Sequence, residues 1–72
     1  MTEFLEKIAE CLDRSSVAET DVIVEFPEWD SLSVLSVIGM LDSSYGVNVH
    51  AGDLRDVRTA ADLWNLVQSR KA

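Results

Sequence analysis

The chain has 72 residues, 47% of them apolar, with 13 acidic against 6 basic side chains and a net charge of -7. That length allows one domain with one core, close to the size at which burial becomes marginal, and the spread of Leu, Ile, Val and Phe along it favours a folded domain over a disordered chain. The acidic field repels phosphate backbones and anionic headgroups, so no nucleic acid partner is expected, and it favours proteins that carry basic patches.

At the N-terminus Phe4, Leu5, Ile8, Cys11 and Leu12 recur at helical spacing, with Glu3, Glu6, Lys7, Glu10 and Asp13 on the other side. This predicts an amphipathic helix over residues 3–13. Thr2 is its expected N-cap, and Glu3 and Glu6 suit the positive end of the helix dipole. The same stretch, MTEFLEKIAE, has acids where a signal peptide needs a basic region and an apolar run, so export by that route is not expected. Cys11 is the single cysteine, which rules out an intrachain disulfide. It reads as a small core residue, and a small fold without disulfides suits a reducing, cytoplasmic compartment.

The polar DRSSVAET ends that helix. VIVEF at 22–26 has strand composition but no second strand to pair with, so a long loop laying Val22, Val24 or Phe26 into the core is expected. Pro27 biases Phe26 toward an extended backbone. Asp30 then caps a second helix running from Ser31 to about Ser44 and closed by Gly46. Leu32, Val34, Leu35, Val37, Ile38, Met40, Leu41 and Tyr45 cover most of its circumference and leave a polar stripe of Ser33, Ser36, Ser43 and Ser44. That is the pattern of a central helix buried on several sides. Its apolar run VLSVIGML is far short of the ~20 residues that cross a bilayer, so no membrane span is expected.

VNVH at 47–50 reads as a packed loop, and AGDLRDV at 51–57 as one or two helical turns with Leu54 and Val57 docked inward. Thr59 and Asp62 make a capping box at the start of a last helix, in which Ala60, Leu63, Trp64 and Val67 share a face and Arg70 and Lys71 suit the C-terminal end. The fold class is therefore all-α: one domain over residues 1–72, a small monomeric four-helix bundle with three main helices and a short third one.

Catalytic and metal chemistry find little support. Ser31, His50 and an aspartate name the members of a triad, but a triad also needs mutual orientation, an oxyanion hole and a pocket. His50 reads instead as a solvated loop residue or a cap for the short helix. One Cys and one His do not make a zinc site, and Gly39, Gly46 and Gly52 form no phosphate-binding fingerprint. No enzyme is expected. Trp64 reads as packing on the last helix, whereas Trp29 either staples the entry to the second helix or shields whatever occupies Ser31, with the staple preferred.

Ser31 stands apart from these residues. With Asp30 as cap it is the first helical residue, in the turn where unpaired amides and the dipole favour an anion, and no preceding turn covers its hydroxyl. The dipole contributes only ~0.3 to 1 kcal/mol at an exposed site, so a modifying enzyme would have to select this serine among several.

Asp30, Ser31 and Leu32 at the head of the apolar helix, the DSSYG that closes it, the VNV leading into a short helical piece and the final TAADLWNLV together resemble the acyl carrier protein family over nearly the whole chain. In that family the serine carries a 4'-phosphopantetheine arm, taken from coenzyme A by a phosphopantetheinyl transferase. The resemblance implies that Ser31 is the attachment point and that the arm holds acyl groups as thioesters. It further implies partner enzymes of fatty acid, polyketide or specialised acyl synthesis, and a chain that supplies no catalytic residue itself.

Asp30, Leu32, Leu35 and Ser36 are then the motif and partner-contact positions, with core packing an equal reading for Leu35. Ser33, Ser36 and Ser43 stand where the family's second helix commonly carries acids, which points to a specialised carrier whose partners read a less charged surface. Glu25, Glu28, Asp53 and Asp56 would move the acidic footprint toward the loop and the short helix. The alternatives are a carrier of aminoacyl or peptidyl groups and, from a different class, a helical protein-interaction module in which Ser31 is unmodified.

Overall fold

In the computed structural model, which describes residues 1–71, α1 runs over Thr2–Cys11 and buries Phe4, Ile8 and Ala9. Both of its ends differ from the sequence reading. The Met1 carbonyl accepts from the Leu5 N–H at 3.0 Å, so Thr2 already lies inside the first turn and its hydroxyl caps nothing. At the other end Asp13 adopts a left-handed backbone (φ 56) and the Arg14 N–H reaches back to the Ala9 carbonyl at 2.8 Å. Asp is among the few residues that take this conformation readily, and it stops the helix at Cys11 rather than 13. Cys11 is half-buried at the edge of the core, and burial first, then the Glu10 charge, pushes its thiol up from the ordinary range.

The connection from α1 to the next helix contains no strand. Ile23–Glu25 form a single 3-10 turn, and Ile23 is the residue it buries completely, in place of the expected Val22, Val24 or Phe26. The cause is the change of period: a strand would turn alternate residues inward, whereas a three-residue turn aims one side chain at the core. Val24 and Phe26 pack against the core half-buried, and Val22 makes an isolated antiparallel bridge with Thr59. Arg14 ties the exit of α1 to this segment, with its guanidinium 3.8 Å from the centre of the Phe26 ring and Nη1 3.0 Å from Glu28 Oε1.

α2 spans Ser31–Tyr45 and α3 spans Ala60–Arg70, with a six-residue 3-10 helix, Ala51–Asp56, between them. Gly46 closes α2 at φ 65, and the N–H groups of Gly46 and Val47 bond the carbonyls of Asp42 and Leu41 at 3.0 and 3.1 Å. Val47 and Val49 are both buried, so VNVH is indeed a packed loop, and Leu54 and Val57 follow them inward. Phe4 sits among the aromatics of the last two helices: its ring lies edge-on to Trp64 at 4.9 Å and to Tyr45 at 5.8 Å between centroids. The result is a compact, mostly helical domain around one core, with no strand among the described residues and no buried polar or charged side chain among them.

α2 is less enclosed than its composition implies. Only Val37 and Leu41 are fully buried, while Leu32 is 76% and Leu35 63% exposed. α1 covers one side of α2 and the short 3-10 helix another. A chain of this length has no further layer to cover the rest. Among the described residues no helix is long and apolar enough to cross a membrane.

Candidate functional site at the start of α2

Asp30 has the extended backbone of an N-cap (φ -132, ψ -176), and its Oδ1 accepts from the Ser33 N–H at 2.9 Å. Its carbonyl accepts the first intrahelical bond, from Val34 N–H at 2.9 Å. Ser31 follows as the first helical residue and is exposed. Among the described residues the N–H groups of Ser31 and Leu32 meet no acceptor. These two donors, with the positive end of the helix dipole behind them, accommodate a negative group attached at this turn.

The contrast with α3 is instructive. There the first-turn donors are consumed internally: Ala60 N–H by the Asp21 carbonyl at 3.1 Å, Ala61 N–H by the Glu19 carbonyl at 2.9 Å, and Asp62 N–H by Thr59 Oγ1 at 3.1 Å. Asp62 Oδ2 returns the cap to the N–H groups of Thr59 and Arg58 at 3.1 and 3.2 Å, and these bonds hold its carboxyl below the usual range. The strand-like VIVEF finds its own backbone partner just before α3, where the Val24 N–H reaches the Arg58 carbonyl at 3.5 Å.

Ser31 opens onto a groove of about 550 Å³ between α2 and the 3-10 helix. Trp29, Val34 and Leu35 line one side, Ala51, Leu54 and Arg55 the other, and Asp30 and Ser31 its head. Trp29 packs half-buried against the core and lines the groove beside Ser31. Leu35 is a groove wall and not a core residue, which corrects the core-packing alternative. Leu32 and Ser36 are exposed but stand outside the groove. His50 is exposed at the head of the 3-10 helix, where its backbone N–H donates to Asp53 Oδ2 at 2.9 Å, and it does not line the groove.

The acids expected to extend the footprint around the site are largely engaged within the chain. Glu28 pairs with Arg14 at 3.0 Å, Glu25 with Arg58 at 3.5 Å, and Asp53 with Arg70 at 2.9 Å. The His50 N–H first and Arg70 next hold the Asp53 carboxyl below its usual range. Arg55 is the site residue that the sequence reading passed over. It stands between two aspartates in DLRDV, and without the register of the 3-10 helix nothing in that stretch says which side it faces. No group of three or more metal-ligating side chains occurs among the described residues. No protein-family model matches the chain, and no solved structure matches it significantly.

Proposed function

We propose that the protein is a carrier of acyl groups, with Ser31 the attachment point of a 4'-phosphopantetheine arm. The observation that carries this reading is the exposure of Ser31 at the open first turn of α2, at the head of a mostly apolar groove. In the attachment step the Ser31 Oγ forms a bond to the phosphorus of coenzyme A nearer the pantetheine. The bond from that phosphorus to the bridging oxygen breaks, the adenosine bisphosphate half leaves with the electron pair, and the serine proton passes to a base of the transferase.

The residues present fit such a group. Asp30 fixes the turn, the free N–H groups of Ser31 and Leu32 face the region where a phosphodiester would sit, and Trp29, Val34 and Leu35 offer apolar surface beyond it. When bound, the arm supplies a terminal thiol that holds the acyl cargo as a thioester. The chain's own part is to present that thiol and to be recognised. In the first two turns past the serine Leu32, Leu35 and Ser36 are the exposed positions, so partners there meet an apolar and hydroxyl surface rather than a row of carboxylates. That surface equally favours a carrier of aminoacyl or peptidyl groups as the second reading, in the same cytoplasmic setting.

The test is to incubate the protein with coenzyme A and broad-specificity phosphopantetheinyl transferases and to measure its intact mass. A gain of one phosphopantetheine in the wild type and none in Ser31→Ala is expected. No gain with several transferases, or an equal gain in Ser31→Ala, leaves Ser31 as a helix-start residue of an interaction module. Challenging the loaded form with acyl-ligating and amino-acid-activating enzymes separates the two cargo classes.

A further inference from the structure

The chain's basic side chains are few and nearly all are occupied. Lys7 pairs with Glu3 at 3.9 Å, Arg14 with Glu28, Arg58 with Glu25 and Arg70 with Asp53, while the Lys71 ammonium lies 5.9 Å from the centre of the Tyr45 ring. Arg55 alone has neither a carboxylate within 4.0 Å nor a ring beneath it among the described residues, although acids outnumber bases 13 to 6. It is also the only basic residue that lines the Ser31 groove. The acids nearest it in sequence are turned elsewhere: Asp53 is held by Arg70, and Asp56 faces a separate cleft with Asp62 and Asn65. Asp30, which shares the groove, makes no ion pair with it and spends Oδ1 on the Ser33 N–H.

We infer that Arg55 is the counter-ion of the phosphodiester attached at Ser31, and that it keeps the first part of the arm over the apolar groove instead of free in solvent. This rests on the proposed modification of Ser31. A phosphodiester there adds negative charge to a chain already at -7, directly beside the Asp30 carboxylate. The two open N–H groups of α2 offer dipoles, but a guanidinium offers a full charge and a planar fork suited to phosphate oxygens. The apolar lining beneath makes that placement useful, since Val34, Leu35 and Leu54 would offer apolar surface to a pantetheine held at its phosphate end.

The experiment uses wild type, Arg55→Ala and Arg55→Lys, each loaded from coenzyme A and checked by intact mass. Phosphorus NMR is recorded at about 0.01 M and about 1 M sodium chloride, a change that shortens the Debye length from ~30 Å to ~3 Å. In the wild type the phosphodiester resonance should move with salt and be broadened toward the tumbling of the protein. Arg55→Ala should lose both effects and Arg55→Lys should retain part of the shift. Because Arg55 is exposed and has no ion-pair partner among the described residues, unloaded Arg55→Ala should melt like the wild type. If it does not fold, the comparison of wild type with Arg55→Lys decides. Loaded proteins whose phosphorus signals and salt responses are identical overturn the role of Arg55 alone. Failure of every protein to gain mass overturns the proposed function and this inference with it.

Discussion

Leu35 and Val37 lie two positions apart on α2, yet one is 63% exposed and the other is sealed in the core. Truncation should separate them. Leu41→Ala, at a fully buried site, should cost about 2 to 5 kcal/mol, and Leu32→Ala and Leu35→Ala should cost far less, because little of either side chain leaves water on folding. Asp30→Ala should cost ~1 kcal/mol through the lost cap, and Asp30→Asn much less, since the amide oxygen still accepts from the Ser33 N–H. Urea melts monitored by helical circular dichroism check all five, and equal losses for Leu35→Ala and Leu41→Ala would remove the distinction. The cap at Asp30 and the place of Ser31 as the exposed first residue of α2 were legible in the sequence because capping depends on a few adjacent residues. The side on which Leu35 lies was not: a helix apolar around most of its circumference carries no directional signal, and only the packing of α1 and the 3-10 helix supplies one.

At the scale of elements, α3 shows the strongest local encoding and the loop before α2 the weakest. Thr59 and Asp62 were readable as a capping box, and the structure closes it in both directions at 3.1 Å. VIVEF was readable as core-seeking but not as to which residue enters, because strand and 3-10 periods place different side chains inward. Thr2 was misread for a related reason: Met1 supplies only a carbonyl to the first bond, and a sequence shows side-chain caps alone.

The capping box makes two predictions. Thr59→Ala should destabilise the protein by about 1 kcal/mol in urea melts. The second concerns acid. Asp62 and Asp53 both have carboxyls held low in the folded state, by backbone N–H groups in the first place, so each contributes stability above its unfolded pKa of about 3.9 and loses it as pH falls through the lower folded value. Melting midpoints should therefore fall as pH drops below about 4, and Asp62→Asn should flatten that fall. An equal response to acid in Asp62→Asn and the wild type would show that the Asp62 cap is not linked to folding.

For the whole molecule the deciding quantity is the ratio of attraction to self-repulsion. The domain measures 31 × 24 × 20 Å, so at about 0.01 M salt, where the Debye length is ~30 Å, every charge interacts with nearly every other. At about 0.15 M that length is ~8 Å, and ion pairs at 2.9 to 3.9 Å survive while distant repulsion between unpaired acids is screened. The exposed pairs are each worth only ~0 to 1 kcal/mol. With 13 acids against 6 bases, repulsion should dominate, and the melting midpoint should rise between these salt concentrations. Two variants identify the cause. Asp42 sits exposed in the last turn of α2, where its charge meets the negative end of the dipole, so Asp42→Asn should raise the low-salt midpoint and reduce the response to salt. Arg58→Ala frees Glu25 and should enlarge that response. Sodium chloride is the suitable salt, because sulfate strengthens apolar burial by itself. A midpoint that falls with added chloride would mean that the four ion pairs outweigh the repulsion among the excess acids.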